Sequence, residues 1–376
     1  MKRASGSTLE KPNLLLLTPP FTQLNTPYPA TAYLAGYLQS KGFTAFQADL
    51  SIETFLILFS RSGLTRLFSA IHRTAEQAPI SGDIVRWALM MEDRYLDTID
   101  PTIRFLQGAD TSLAIQICGR RFLPEGPRFT NLEEDRWAFG SLGLADRAKH
   151  LASLYLVDLA DLIQATVDPR FGLSRYAERL ATSATSFDPI HSALQTPPGL
   201  IDRMLEEALG RHLEERSPDL VGITVPFPGN LYGALRAAAF IRRRAPRTKI
   251  ILGGGYVNTE LRELAEPRLF DYVDYVTIDA GEMPILTILD AYKSPDRDPP
   301  LCRTFVRRRG KVILINTSAE QVVPFAESGT PTYRGLPLRR YISVVEMLNP
   351  MHRLWSDGRW NKLTVAHGCY WRKCTF

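Results

Sequence analysis

Apolar positions along the chain follow two kinds of pattern, and the change from one to the other sets the expected domain plan. Near the start, NLLLLTPP (13–20) is a short unbroken apolar run stopped by two prolines, the mark of a buried strand. PATAYLAGYLQSKG (29–42) places Ala30, Leu34, Tyr37 and Leu38 on one helical face, with Gly42 as its stop. FTAFQADL (43–50) alternates apolar and polar residues and reads as a second strand. Strand, helix, strand in so short a span is a βαβ unit, so the two strands are expected to be parallel.

From about Ser60 to Arg216 the alternation gives way to amphipathic helical stretches, joined by loops such as LPEGPRFTNLEED and LQTPPG. At Asp219 it resumes. DLVGITVPF, KIILGGG and VDYVTID read as strands. NLYGALRAAAFIRRRAP, TELRELAEP and EMPILTILDAYK read as helices, the first with Asn230 as N-cap. The predicted fold class is therefore α/β: a doubly wound, parallel, five-stranded, Rossmann-like sheet from residues 1–59 and 217–295, interrupted by a helical insertion over residues 60–216. Residues 296–360 read as a linker holding one β-hairpin, CRTFVRRRGKVILIN, with Gly310 in its turn. In 361–376, KLTVAHGC begins another strand.

Composition changes this picture little. Apolar residues make up 45% and charged residues 23% of 376, an ordinary globular balance. The net charge of +5 is scattered; Arg242–Arg244 and Arg307–Arg309 read as a helix end and a turn, so no nucleic-acid partner is expected. His150–Val167 is the longest apolar stretch, but Asp158 and Asp161 interrupt it, so a buried helix is expected and no membrane partner. The polar start MKRASGSTLEKPN lacks a secretory pattern, and four cysteines are too few for a disulfide scaffold. A reducing, cytoplasmic location is the expectation, with Cys118 and Cys302 packed as small hydrophobes.

Chemistry is sought at the carboxyl ends of the strands, where open α/β sheets bind ligands. The loop after the first strand, TPPFTQLNTPYP, is stiff and polar and offers Thr18, Pro20, Gln23 and Asn25. The third strand ends in Thr224 and Pro226, the fourth in Gly253, Gly254 and Gly255, and the fifth in Asp279, Gly281 and Glu282. A glycine triplet at a strand end admits a flat ligand close to the backbone, or is simply a turn. It does not match the dinucleotide fingerprint, whose spaced glycines follow the first strand. Cys369 and Cys374 stand in HGCYWRKCTF. Two thiols alone leave open free thiols, a disulfide, a zinc site with His367 that falls short of four ligands, or part of an iron–sulfur motif.

These loops resemble the cobalamin-binding domain family. Its Ser/Thr-x-Leu motif after the third strand has Thr224-Val225-Pro226 at the matching place, and its Gly-Gly after the fourth has Gly253-Gly254. Its Asp-x-His-x-x-Gly motif, which supplies a histidine to cobalt, has no counterpart, since no His stands between Leu14 and Ile71. That departure is similar to the cobalamin-binding radical S-adenosylmethionine enzymes, as are NTPYPATAYLAGYLQSKG, DYVTIDAGE and NKLTVAHGCYWRKCTF. The resemblance implies cobalamin over the sheet, held by the twelve loop residues named above. It implies Cys369 and Cys374 as two of three thiolates of a 4Fe–4S cluster in a Cys-x4-Cys-x2-Cys motif, S-adenosyl-L-methionine on the open iron, and an electron donor as partner. Residues 361–376 would open a partial (β/α) barrel. The intact enzyme would transfer a methyl group or rearrange carbon on a small-molecule substrate, while this chain, ending inside the motif, is expected to be inactive alone. The alternative is a non-catalytic corrinoid-binding or docking module.

Overall fold

The structure, a computed structural model, describes residues 11–77, 82–130, 143–173, 177–182, 186–293, 300–319 and 322–344. The expectations for residues 361–376, Cys369 and Cys374 among them, lie outside this set.

The opening βαβ unit forms as its pattern predicts. β1 (Asn13–Thr18), α1 (Pro29–Ser40) and β2 (Thr44–Asp49) place the two strands parallel in register from Asn13↔Thr44 to Thr18↔Asp49. Pro29 opens α1 where a missing N–H does no harm, and Gly42 follows its end at φ +78, as a chain reversal requires. α2 (Leu50–Leu58) follows β2 directly, and the insertion contributes α3 (Arg61–Gln77), α4 (Asp83–Met90), α5 (Glu92–Leu106), α6 (Leu113–Cys118), α7 (Gly143–Thr166), α8 (Glu178–Thr182), α9 (Asp188–Gln195) and α10 (Leu200–Arg216). Among the described residues it holds no strand. Next come β3 (Leu220–Thr224), α11 (Leu231–Arg244), β4 (Lys249–Gly253), α12 (Gly255–Glu260), β5 (Tyr275–Thr277), α13 (Glu282–Tyr292), β6 (Thr304–Arg308) and β7 (Lys311–Ile315).

The sheet is a seven-stranded mixed sheet in the order β2-β1-β3-β4-β5-β6-β7. Its first five strands pair parallel, and the hairpin then adds antiparallel, Val276 opposite Phe305. This corrects the five-stranded expectation: the predicted hairpin is real, with Arg309 and Gly310 in the left-handed region, but it belongs to the sheet. The architecture is α/β and compatible with a Rossmann-like fold. Two smaller readings also change. The helix after β4 is Gly255–Glu260, ahead of the predicted TELRELAEP. Asn230 precedes α11 but makes no capping bond with its side chain.

β1 lies between two parallel neighbours and has a core on each face of the sheet, so its four leucines are at most 2% exposed. Leu14 and Leu16 join Leu220, Ile251 and the apolar faces of α1 and α13. Leu15 and Leu17 join Val221, Ile223, Ile250 and Leu252, and this core runs on without a break into the insertion. α7 is the buried helix predicted from its long apolar run. Its Asp158 is buried yet satisfied, accepting from the backbone N–H of Gly126 and Arg128, while Asp161 pairs with the Arg128 side chain. Among the described residues no helix is long and apolar enough to cross a membrane.

After β7 the chain returns across the molecule to the opposite edge. Residues 328–344 form an irregular strap over α1 and β2. The Thr332 N–H donates to the carbonyl of Ala32, and Gln47 Nε2 donates to the carbonyls of Thr332 and Arg334. Further along, the Tyr341 hydroxyl donates to Asp49 at 2.6 Å. Ile342 N–H reaches the Leu24 carbonyl, and Ser343 N–H reaches that of Leu106 in the insertion.

Candidate functional site

Side-chain alternation decides where space opens in this sheet. Leu16, Gly222, Thr224, Ile251, Gly253 and Thr277 line the hollow on the face that α1 and α13 cover. Gly222 and Gly253 carry no side chain there, so near the carboxyl ends the two helices stand over a gap. The result is a cavity of about 260 Å³. Tyr28, Thr31, Tyr33 and Leu34 of α1 and its lead-in form one wall, and Gly281, Glu282 and Ile285 form another. Two other hollows, of about 380 and 360 Å³, lie at the amino ends of β3 and β4 and beside β6, away from every predicted site residue.

The glycine triplet has a backbone reason of its own. The loops after β3 and β4 cross closely: Val225 N–H donates to the Gly253 carbonyl at 2.7 Å, and Tyr256 N–H to the Val225 carbonyl at 3.0 Å. A Cβ on Gly254, at φ +114, would stand 2.6 Å from Val225 N, and one on Gly255 would stand 2.8 Å from the Pro226 carbonyl oxygen. A Cβ on Gly253 would fill the cavity floor beside Thr277 Oγ1, 2.8 Å away. Bulk at Gly254 and Gly255 is thus forbidden with or without a ligand, whereas Gly253 also shapes the cavity.

The polar lining is sparse. Thr224 is 8% exposed, and its hydroxyl has no hydrogen-bond partner among the described residues. Glu282, in the first turn of α13, likewise has none. Asp279 does not share that freedom. Its backbone sits at φ +62, its N–H donates to Asn258 Oδ1 at 2.6 Å, and its carboxylate accepts from Arg262 at 2.7 Å. No Lys, Arg or His lines the cavity. Burial pushes the Tyr28 phenol above its usual range, so it stays neutral, and its ring meets the exposed Phe227 edge-on at 6.5 Å.

The predicted residues divide into two groups. Thr224, Gly253, Gly254, Gly255, Asp279, Gly281 and Glu282 line the cavity. Thr18, Pro20, Gln23, Asn25 and Pro226 do not. Thr18 is buried at the end of β1, and Pro226 is buried under Gly255. The Pro20 carbonyl oxygen lies against Gly233 of α11. Gln23 turns inward, its Nε2 donating to the Thr26 carbonyl at 2.6 Å while its own carbonyl accepts from Ser51. Phe21 of this loop meets Phe171 of the insertion edge-to-face at 5.5 Å. The stiff loop is thus anchored to the insertion side, and the cavity takes no lining residue from the insertion.

Sequence reasoning missed Tyr28, Thr31, Tyr33, Asn258 and Gly222. Gly222 alone carried a signal, a glycine inside a strand of branched apolar residues. Among the described residues no group of three or more His, Cys, Asp or Glu is placed to hold a metal ion. No protein-family model matches the chain, and no curated protein matches it.

Proposed function

We propose that this chain carries the cobalamin-binding part of a cobalamin-dependent radical S-adenosylmethionine enzyme, the cavity at the carboxyl ends of β3, β4 and β5 receiving the cofactor's nucleotide tail. The observation that carries this reading is Thr224, a residue 8% exposed that lines the cavity and whose hydroxyl has no hydrogen-bond partner among the described residues, at the place the family's Ser/Thr motif occupies. A hydroxyl that opens onto a cavity without a protein partner is free to bond a ligand atom there. The fit is partial in a useful way. A cavity of about 260 Å³ is below the roughly 300–1,000 Å³ of pockets that enclose drug-sized ligands, so it suits a flat fragment and leaves a macrocycle over the strand ends. Bound cobalamin and a 4Fe–4S cluster with S-adenosyl-L-methionine would supply cobalt and radical chemistry for methyl transfer or carbon rearrangement, with Cys369 and Cys374 as cluster thiolates.

In this scheme the chain's own residues bind and orient. Thr224 donates or accepts one hydrogen bond, Gly222 and Gly253 keep the floor flat, and Tyr28 and Leu34 exclude water from the α1 side. Titration with hydroxocobalamin, followed by visible absorbance, tests the reading. Thr224→Val is expected to weaken binding about three- to tenfold, the range of one net hydrogen bond. A folded wild-type chain that binds no cobalamin overturns the proposal in favour of a docking module. The ligand-independent crossing at Gly254 is the observation that favours that second reading.

A further inference from the structure

The lining of the cavity carries information about ligand chemistry that the strand-end motifs do not. Two acidic residues, Asp279 and Glu282, line it, and no Lys, Arg or His does. Asp279 is neutralised by Arg262 at 2.7 Å, with Arg303 3.9 Å away. Glu282, half-buried in the first turn of α13, has no ion-pair or hydrogen-bond partner among the described residues. An anion entering this space would meet a like charge. A second and independent feature is the Thr224 hydroxyl, 8% exposed and unpartnered, in the same lining. Between them the floor is glycine backbone and the sides of Leu16 and Ile251, a flat apolar slot.

We propose that this slot selects an uncharged, flat heteroaromatic base that carries an amine, as an adenine does, and refuses a phosphate. The inference rests on the cavity being the ligand site and sharpens that reading. The amine donates to the Glu282 carboxylate, a ring nitrogen accepts from the Thr224 hydroxyl, and the π-face lies on the glycine floor. A dimethylated benzimidazole fills the same slot but brings no amine, so Glu282 stays unsatisfied. Sites that hydrogen-bond a polar group discriminate strongly against analogues lacking it, because the site's own group is then left unpaired. The 5′-phosphate of AMP is carried toward Glu282, whereas the phosphodiester of a larger cobamide lies outside the mouth.

The test needs no cobalt. Adenosine, AMP and benzimidazole riboside are titrated into the full chain by ligand-observed NMR, with circular dichroism as the folding control for each variant. Adenosine is expected to bind at least tenfold tighter than AMP and several-fold tighter than the benzimidazole riboside. Glu282→Gln should narrow the gap to AMP, and Thr224→Val should weaken adenosine. Equal or tighter binding of AMP, equal binding of the two nucleosides, or no nucleoside binding overturns the proposal. A paired titration separates this inference from the cofactor reading. A cobamide with an adenine lower base should bind tighter than cobalamin. Adenosine binding with no binding of either cobamide supports the slot and retires only the cobalamin assignment. Binding of both cobamides with equal affinity, together with equal nucleosides, sinks the slot and leaves cobalamin standing.

Discussion

Asp49 concentrates several roles in one side chain. It ends β2 and caps α2, its Oδ1 accepting from Ser51 N–H at 2.9 Å, while Oδ2 accepts from Tyr341. Full burial pushes its carboxyl up to about 7, against the donors that pull it down and with Glu53 adding to the rise. His212 holds Glu53 at 2.8 Å on the other side. The unfolded carboxyl titrates near 3.9. Between those values the folded chain keeps a proton that the unfolded chain has shed, so raising the pH through this window removes stability. Asp158, raised by burial to about 6, acts in the same direction over a narrower window. Asp49→Asn should therefore flatten the fall in urea midpoint between pH 4 and 7. An unchanged slope would mean that Asp49 ionises normally. Gly254 is the second residue to single out. Because its φ is +114 and a Cβ would meet Val225 N, Gly254→Leu should destabilise the ligand-free chain by several kcal/mol. A normal thermal midpoint for that variant would contradict the crossing described here. Thr224→Val is the cleaner probe of binding for this reason. The sequence made the glycine triplet visible but not its reason, which lies in a backbone contact with a strand some thirty residues earlier.

At the scale of elements, what was legible were runs and their punctuation. Leu14–Leu17 with Pro19 and Pro20, or the α1 face with Pro29 and Gly42, carry start, body and stop within a dozen residues. Partnerships between distant elements left no such mark. β6 buries only Thr304, Phe305 and Val306 before turning outward, too short an alternation to announce that it pairs with β5. The division of site residues between two sides was hidden for a similar reason. The β1 loop follows a strand end, but its direction is set by Phe171 and Gly233, which no local pattern ties to it. Arg236 of α11 shows how such junctions are held. It is 1% exposed, donates to the carbonyls of Ala193 and Leu194 at the end of α9, and stands 3.4 Å from Asp202 of α10. Arg236→Met would leave Asp202 buried without its cation, and a loss of about 3–5 kcal/mol in denaturant unfolding is expected. A loss under 1 kcal/mol would show that this junction is not held by charge.

Across the whole molecule the two sheet edges are treated differently. The β7 edge leaves Ile313 and Leu314 more than 40% exposed, while the β2 edge lies under the strap. The strap joins α1, β2, the β1 loop and the insertion through a few hydrogen bonds, three of them to β2, so the share of each should be readable. Tyr341→Phe removes the donor to Asp49 and should cost about 1–3 kcal/mol. It should also speed hydrogen exchange at Ile342 and Ser343, whose N–H groups hold the Leu24 and Leu106 carbonyls. Protection unchanged at both amides would mean that the strap is held by its apolar residues alone.

The insertion also sets a timetable. β1 pairs with β3, Leu17 beside Ile223, yet about two hundred residues separate them in the chain. At a synthesis rate of roughly 5–20 residues per second, the four leucines of β1 wait some 10–40 s for their second neighbour to be made. The helices between are local structures and can pack in that interval, with α2 and α10 ready to receive Leu15 and Leu17 when β3 arrives. A nascent chain of this design spends most of its birth with its most apolar strand lacking its second neighbour.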